Sequence, residues 1–327
     1  MERKKLVFIG AGGRSNSYAS VYAAHEDVEI VGLADPVPHH RQTTVERSCI
    51  RPDVAQYDDW RDMLNEQTEL DGAVITTPNY LHADPAVACL ERGLPIALEK
   101  PIATNKADCE RIIDCEKANN GRTLVGFVLR STPVYAKIHE LIRAGEIGAV
   151  TSIQADELPG WAVSSIMNRS PWRRYTETSG GSMLEKSCHD MDILNWMMGA
   201  RPAALCSFGN QLIFTPNPEL PRTCKDCKLA DTCPYYKKPR LSQHEDPAEG
   251  VLQEYIRDDE GCIYNMDKDV VDVQNVAIEY ENGAVANFML NFNATGTKAG
   301  RNFHAVGMKG RIWANLQDSK VYLFNNH

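Results

Sequence analysis

The first 35 residues restrict the fold more than any other part of this chain. Residues 5–10 (KLVFIG) form a β-branched and aromatic run that ends in glycine, and residues 28–35 (VEIVGLAD) form a second apolar run that ends in an acid. The residues between them begin with a glycine-rich turn and continue as a helical stretch to about Ala24. This order predicts a β-turn-α-β unit, in which a helix connects two parallel strands.

Three later apolar runs continue the alternation of strand and helix. They cover residues 72–77 (GAVITT), 94–101 (LPIALEKP) and 123–130 (TLVGFVLR). The pattern predicts an α/β fold, with a doubly wound parallel sheet of the Rossmann type in residues 1–125. Ligands bind such sheets at the carboxyl ends of the strands, so the residues that follow each run are candidate site residues.

The glycine-rich turn predicts a dinucleotide site. Gly10 allows the tight turn, Gly12 allows a backbone to approach a pyrophosphate, and the following helix offers N–H groups to phosphates. Ser15 replaces the third glycine of the G-x-G-x-x-G pattern, and a glycine turn without a ligand is the alternative. Asp35 suits hydrogen bonds to an adenosine ribose and repels a 2′-phosphate, so the predicted cofactor is NAD rather than NADP.

Composition excludes several classes of protein. The chain has 327 residues, enough for two domains, and its net charge of −9 argues against nucleic acid or an anionic membrane as the main partner. No apolar run reaches the roughly 18–20 residues of a membrane helix. The N-terminus leads directly into the glycine-rich turn without a cleavage site, so we expect a cytoplasmic protein with reduced thiols.

Residues 185–192 (EKSCHDMD) concentrate ionisable groups within a predicted helix that runs from about residue 183 to 198. Four residues share one helix face, at spacings of 4, 3 and 4: Glu185, His189, Asp192 and Trp196. Lys186 and Asp190 form a second stripe beside it. The spacing alone fits a catalytic face, a solvated charged face, or a catalytic metal held by His189 with Glu185 and Asp192.

Several motifs together resemble the Gfo/Idh/MocA family (glucose–fructose oxidoreductase, inositol dehydrogenase and rhizopine catabolism proteins). They are GAGGRS at 10–15, ADP at 34–36, TTPNYLH at 76–82, EKP at 99–101, and a Gly180-Gly181 pair before a helix with E-x3-H-x2-D. The resemblance covers the chain to about residue 315. It implies an NAD(P)-dependent dehydrogenase that acts on a secondary hydroxyl of a sugar, glycoside or polyol. It also implies a second α/β domain in residues 126–327, with a large open and mainly antiparallel sheet for substrate binding and oligomerisation.

The resemblance also suggests roles for single residues. His189 stands at the family's catalytic histidine, and Glu185 stands where many members have an aspartate that partners it. Lys100 would reach the same substrate hydroxyl, and the choice between Lys100 and His189 as the acid/base stays open. The glycine-rich turn and the family motifs together assign these residues to the cofactor: Gly10, Gly12, Gly13, Arg14, Ser15, Asp35, Thr77, Pro78, Asn79, His82, Glu99, Lys100 and Arg130.

The expected substrate-binding residues come from two segments. Trp172 and Arg173 precede the Gly-Gly turn, where an aromatic ring suits the apolar face of a sugar and an arginine suits hydroxyls or a carboxylate; packing is the alternative role. The complete expected set is Lys100, Trp172, Arg173, Glu185, His189 and Asp192.

A cysteine-rich insert around residues 216–262 predicts a metal site. Cys224, Cys227 and Cys233 follow a C-x2-C-x5-C spacing within a proline-rich segment, and Cys262 is the fourth candidate. Four thiolates satisfy a structural zinc ion, and an iron–sulfur cluster is a less favoured alternative. Reduced thiols or one disulfide would need no metal.

The remaining sequence predicts a β-meander. Residues 272–294 alternate around Glu281-Asn282-Gly283, and a second turn follows at Lys309-Gly310. Open sheets of this kind commonly pair between subunits in the family, so we expect a homo-oligomer, either a dimer or a tetramer.

Two other functions use the same residues. In one, transient oxidation of a sugar carbon drives epimerisation, elimination or glycoside cleavage, and the hydride returns so that NAD is recycled. In the other, the protein binds NAD as a sensor without catalysis, although a sensor would need neither Lys100 nor His189.

Overall fold

The computed structural model describes residues 3–237, 261–293 and 300–325. Within these residues, the chain forms two compact units. The first contains residues 3–126 and 177–180, and the second contains the remaining described residues. In the described part of the chain, no helix is long and apolar enough to cross a membrane.

The first unit contains a six-stranded sheet in the order β3-β2-β1-β4-β5-β6. All neighbouring strands pair in parallel, which confirms the predicted doubly wound fold. The strands are β1 (Lys4–Ile9), β2 (Val28–Ala34), β3 (Ala55–Tyr57), β4 (Gly72–Ile75), β5 (Ile96–Leu98) and β6 (Thr123–Val125). The helices are α1 (Gly13–Ala23), α2 (Pro38–Arg47), α3 (Trp60–Glu66), α4 (Ala83–Glu91) and α5 (Lys106–Ala118).

Apolar residues cover both faces of this sheet, as a parallel sheet requires. Along β1, Val7 and Ile9 belong to one buried cluster, whereas Phe8 belongs to a second cluster. Successive side chains of a strand point to opposite faces, so one apolar run supplies both layers of the core.

The second unit contains a seven-stranded sheet in the order β13-β12-β11-β7-β10-β9-β8. Of these neighbours, β7 and β10 pair in parallel and the others pair antiparallel, as the mainly antiparallel prediction requires. The strands are β7 (Val150–Leu158), β8 (Pro202–Asn210), β9 (Val273–Tyr280), β10 (Val285–Asn291), β11 (Gly300–Gly307), β12 (Gly310–Asn315) and β13 (Lys320–Asn325). The helices are α6 (Pro133–Arg143), α7 (Trp161–Arg169) and α9 (Gly181–Met198). The short helix α8 (Thr176–Ser179) begins in this unit, and its other residues belong to the first unit.

One face of this sheet is buried and the other is open. Alternate residues of β10 (Ala286, Phe288 and Leu290) join the buried core with residues of α6 and α9. On the opposite face, Val285 and Trp313 are exposed. Both predicted hairpins form here, between β9 and β10 and between β11 and β12.

One predicted segment differs from the structure. The run 123–130 forms a strand only as far as Val125, and its last residues form a 3₁₀ turn at Val128–Ser131. The cysteine-rich insert contains a 3₁₀ turn at Cys224–Asp226, and its residues 238–260 lie outside the described part.

Candidate active site

The glycine-rich turn joins β1 to α1 in the first unit. Gly10 has φ +92°, and a Cβ there would lie 2.8 Å from backbone atoms of Thr76 and Thr77, so only glycine fits. A Cβ on Gly12 or Gly13 would meet nothing within 4 Å. The space around these two glycines allows the close backbone approach that a pyrophosphate needs.

The N-terminus of α1 is suited to an anion. Gly12 provides no side-chain cap, and the first turn contains no acidic residue. The first N–H groups of a helix lack intrahelical partners and carry the positive end of the helix dipole, so they attract phosphate. Ser15 is fully buried in this turn, where a small side chain allows the helix to pack closely.

Asp35 links the end of β2 to the glycine-rich turn. Its carboxylate accepts hydrogen bonds from the N–H of Ala11 at 2.8 Å and of Val37 at 2.9 Å, and it lies 3.3 Å from His40 Nδ1. These bonds hold the carboxylate beside the glycine-rich turn. Its contact with a ribose remains a prediction.

The segment after β4 lies beside this turn. Thr77 Oγ1 is buried and has no hydrogen-bond partner among the described residues, so it can bond to a bound cofactor. Asn79 donates from Nδ2 to the Ser179 carbonyl at 3.0 Å. Pro78 precedes a 3₁₀ turn at Asn79–Leu81.

His82 connects two of the candidate segments. Its Nδ1 lies 2.7 Å from the Pro101 carbonyl oxygen, and its Nε2 lies 2.9 Å from the Thr77 carbonyl oxygen. Burial lowers the pKa of His82, so the neutral ring donates to one of these oxygens. In this position the ring joins the backbone after β4 to the backbone after β5.

Glu99 is held firmly at the carboxyl end of β5. Its carboxylate accepts from the Tyr18 hydroxyl at 2.8 Å and from the backbone N–H of Lys100 at 3.0 Å, and it pairs with Arg14 Nε at 3.2 Å. Burial, reinforced by the charge of Glu99, raises the pKa of Tyr18. Glu99 and its half-buried neighbour Lys100 therefore lie at the edge where the predicted nucleotide site is located.

The second unit carries the other candidates on α9. Glu185 is buried and pairs with Arg173 Nε at 2.7 Å, and the Arg173 guanidinium lies 4.0 Å from the Trp172 ring centroid. His189 is 9% exposed, and its ring makes an edge contact with Phe127 at 6.1 Å. The structure thus brings the predicted substrate residues Trp172, Arg173 and Glu185 together.

Asp192 and Arg130 form a separate pair. Arg130 donates from Nε at 2.7 Å and from Nη2 at 2.6 Å to the two carboxylate oxygens, and this bonding raises the pKa of Arg130. Two residues predicted for different ligands are therefore each other's partners. Trp196, on the same helix, stacks on His139 at 3.9 Å.

The sequence reasoning did not identify Tyr18 as a site residue. It lies one helical turn after Arg14, and both side chains contact Glu99. The i, i+4 spacing of Arg14 and Tyr18 after the glycine-rich turn was the available signal.

The four cysteines of the insert are neighbours. An isolated bridge joins Thr223 to Gly261, which brings the segments of Cys224 and Cys262 together. Burial raises the pKa of the Cys233 thiol, and the other three thiols add to the rise. They are Cys224, Cys227 and Cys262.

The metal site predicted from these cysteines stays a prediction. Within residues 3–237, 261–293 and 300–325, no group of three or more His, Cys, Asp or Glu side chains is arranged to hold a metal ion. Cys224 Sγ instead lies 3.7 Å from Arg169 Nη2 and 3.9 Å from the Gly261 carbonyl oxygen.

Comparison with known proteins identifies the family. Residues 4–127 match the model of the oxidoreductase family with an NAD-binding Rossmann fold, and residues 135–313 match the GFO/IDH/MocA C-terminal domain. The protein belongs to the Gfo/Idh/MocA family. The predictions of an NAD-binding oxidoreductase and of its two-part fold are thereby confirmed.

Individual relatives share modest identity. YteT of Bacillus subtilis is 28% identical over 95% of this chain and 77% of its own length. Inositol 2-dehydrogenase of Salmonella typhimurium is 28% identical over 52% of this chain, and the match spans 47% of that enzyme. The structure of levoglucosan dehydrogenase with NADH and levoglucosan has a TM-score of 0.76 and 22% identity, covering 100% of this chain and 77% of that one. At this identity, the structural likeness shows the fold.

Proposed function

We propose that this protein transfers a hydride between a secondary hydroxyl of a sugar, glycoside or polyol and NAD. The observation that carries the proposal is the arrangement at one sheet edge, where Lys100 follows Glu99 beside the glycine-rich turn. His189 on α9 supplies a second group that can hold or move a proton. Similarity to enzymes named inositol 2-dehydrogenase and levoglucosan dehydrogenase supports the substrate class.

In the proposed reaction, NAD⁺ supplies the hydride acceptor when it is bound. The chain's task is to take the hydroxyl proton as the C–H bond breaks, and Lys100 and His189 are the two candidates. The ammonium of Lys100 also stabilises negative charge that develops on the substrate oxygen. The Glu185–Arg173 pair, with Trp172 stacked on the arginine, offers a polar and aromatic surface for hydroxyl groups and ring faces.

Single substitutions test this assignment. We expect Lys100→Ala and His189→Ala each to lower kcat by ~10²–10⁴-fold, because a general acid/base contributes about that much. NADH affinity, measured by fluorescence titration, should change little. Lys106→Ala is the matched control, since Lys106 is exposed on α5. Near-normal turnover in both variants would contradict the assignment of Lys100 and His189 to proton transfer.

We further propose a preference for NAD over NADP, supported by the position of Asp35. The Ala11 and Val37 N–H groups hold its carboxylate beside the glycine-rich turn, where a 2′-phosphate would meet a negative charge. Asp35→Asn keeps the shape and removes the charge. The ratio of kcat/KM for NAD to that for NADP should fall at least ~10-fold, since one contact to a charged group contributes about 1.5–3 kcal/mol. An unchanged ratio would count against the preference.

We propose that the open face of the seven-stranded sheet pairs with a second copy of the chain. Four exposed apolar residues lie on this face of strands β10, β12 and β13: Val285, Trp313, Tyr322 and Phe324. Exposed apolar patches of this kind commonly mark protein interfaces. A dimer or tetramer would cover them.

We also propose that the protein acts in the cytoplasm. All ten cysteines are free of disulfide bonds, although four of them are neighbours in the insert. Thiols remain reduced in that compartment.

We propose, finally, that the insert binds a structural zinc ion through the thiolates of Cys224, Cys227, Cys233 and Cys262. The support is the buried Arg169, which donates to the Gly261 and Tyr235 carbonyl oxygens at 2.7 Å and contacts Cys224 Sγ. In the part of the chain that the structure describes, no carboxylate pairs with this cation. Because a buried charge without a counter-charge is unfavourable, thiolates on a metal would supply the missing negative charge.

Metal analysis tests the zinc proposal. We expect protein purified without chelator to carry about one zinc per chain, and Cys224→Ser and Cys227→Ser to lose it. Cys206→Ser is the control, because Cys206 is exposed on β8. Visible absorbance with bound iron would favour the iron–sulfur alternative, and wild-type protein without metal would refute the site.

A further inference from the structure

A group of four buried charges anchors α9 to the second sheet. Glu157 of β7 and Arg301 of β11 lie directly opposite each other in the antiparallel register. Their side chains point to the buried face, and Arg301 Nε lies 2.6 Å from Glu157 Oε2. One pair of neighbouring strands therefore presents an acid and a base to the helix above it.

Helix α9 carries a base and an acid, one turn apart, that pair with these two residues. Lys186 Nζ lies 2.7 Å from Glu157 Oε1, and Asp190 Oδ1 lies 2.6 Å from Arg301 Nε. A second contact joins Arg301 Nη2 to Asp190 Oδ2 at 3.3 Å. We call Glu157, Lys186, Asp190 and Arg301 the charge quartet. Its two positive and two negative charges balance within the core of the second unit.

The charge quartet constrains the helix more specifically than apolar packing does. Apolar burial is non-directional, so it specifies the rotation of a helix less sharply than an ion pair does. Ion pairs between buried side chains need defined distances and angles, and in some proteins they contribute to the uniqueness of a structure more than to its stability. Two such contacts at i and i+4 fix both the rotation and the axial position of α9.

The residues that α9 presents for catalysis are the immediate chain neighbours of this anchor. Glu185 precedes Lys186, and His189 precedes Asp190, so the two stripes run side by side along the helix. A rotation that lengthened the anchor contacts would displace both functional side chains together. Small displacements of this kind reduce rates strongly, because catalysis depends on near-attack geometry.

We propose that Lys186 and Asp190 are positioning residues, which set the direction of Glu185 and His189 by locking α9 onto Glu157 and Arg301. The effect on turnover rests on the function proposed above. The effect on the His189 environment does not, so the two proposals can fail separately.

The test uses two substitutions and a rescue. Asp190→Asn and Lys186→Gln remove one charge each with little change in volume. Lys186→Arg changes the side chain but keeps its positive charge. For the first two, we expect kcat per folded molecule to fall at least ~10-fold while the Kd for NADH stays within ~2-fold. Lys186→Arg should have most of the wild-type kcat, in contrast to Lys186→Gln. Lys137→Gln is the control, because the Lys137–Glu140 ion pair on α6 is exposed.

A second readout separates positioning from simple stabilisation. The chemical shifts and the pKa of His189, followed by NMR with labelled histidine, should move in Asp190→Asn and Lys186→Gln but not in Lys137→Gln. A lower melting temperature with an unchanged kcat and an unchanged His189 signal would show a structural role only and overturn the proposal. If the wild-type protein turns over no sugar or polyol, the proposed function fails, and the His189 signal alone decides whether the anchor positions the helix.

Discussion

At the scale of single residues, the glycine-rich turn shows two different reasons for glycine. Gly10 is required by the fold, because a Cβ there would collide with the backbone of Thr76 and Thr77. Gly12 has an extended backbone with φ −77°, and the space around it is empty. The fold therefore does not require glycine at this position, and the empty space would suit the predicted pyrophosphate.

This difference predicts opposite effects of two alanine substitutions. Gly10→Ala should lower the free energy of unfolding by at least ~2 kcal/mol, because it combines strain with overlap. Gly12→Ala should leave that free energy unchanged and weaken NADH binding, because the new methyl group occupies the space for the pyrophosphate. Chemical denaturation and fluorescence titration measure the two quantities. Equal effects of both substitutions on unfolding would contradict this account.

Asp190 gives the protein a specific pH dependence. Burial raises the pKa of its carboxyl from 3.8 to about 6; Arg301 and Lys186 oppose the rise, and Glu157 adds to it. The charge of Asp190 in turn contributes to the raised pKa of the Tyr135 hydroxyl on α6. Between about pH 4 and pH 6, the native state holds a proton that the unfolded chain has released.

Stability should therefore decrease as the pH rises through this window. Asp190→Asn lacks the titrating group. Between pH 4 and pH 7, the decrease in its free energy of unfolding should therefore be about 1–3 kcal/mol smaller than the decrease in the wild type. Urea denaturation at the two pH values measures the difference. Parallel pH profiles for the two proteins would show that Asp190 does not titrate in this way.

At the scale of elements, local patterns predicted most of the structure. The β1-α1-β2 unit, α9 and both hairpins follow from periodicity and turn residues within short stretches of sequence. The strand predicted at 123–130 is shorter, because the apolar run continues past Val125 into a 3₁₀ turn. Composition alone does not distinguish these two conformations of one apolar run.

Long-range side-chain partners could not be predicted from the sequence. Asp192 and Trp196 were correctly placed on one face of α9, but the spacing does not reveal that Arg130 is the partner of Asp192. Glu157 and Arg301 belong to strands far apart in sequence, and only the sheet register brings them opposite each other. The sequence spacing predicts that Lys186 and Asp190 lie on one stripe of α9, but it does not predict their partners on the sheet.

At the scale of the whole molecule, the open sheet face predicts assembly. Introducing a charge at Trp313 (Trp313→Lys) should shift the mass measured by light scattering toward the monomer, because a buried interface excludes unpaired charges. Val21→Lys is the control, since Val21 is exposed on α1 in the other unit. An unchanged oligomer in Trp313→Lys, or a monomeric wild-type protein, would contradict assembly through this face.

The most direct test of the central claim is a reaction of the wild-type protein with NAD⁺ and a panel of free sugars, polyols and glycosides. NADH absorbance and product mass are followed together. The account predicts that NADH accumulates with a product two hydrogens lighter than its substrate. A changed product without NADH would contradict net oxidation and indicate that the hydride is returned. The absence of both, in protein that binds NADH, would contradict the proposed catalysis itself.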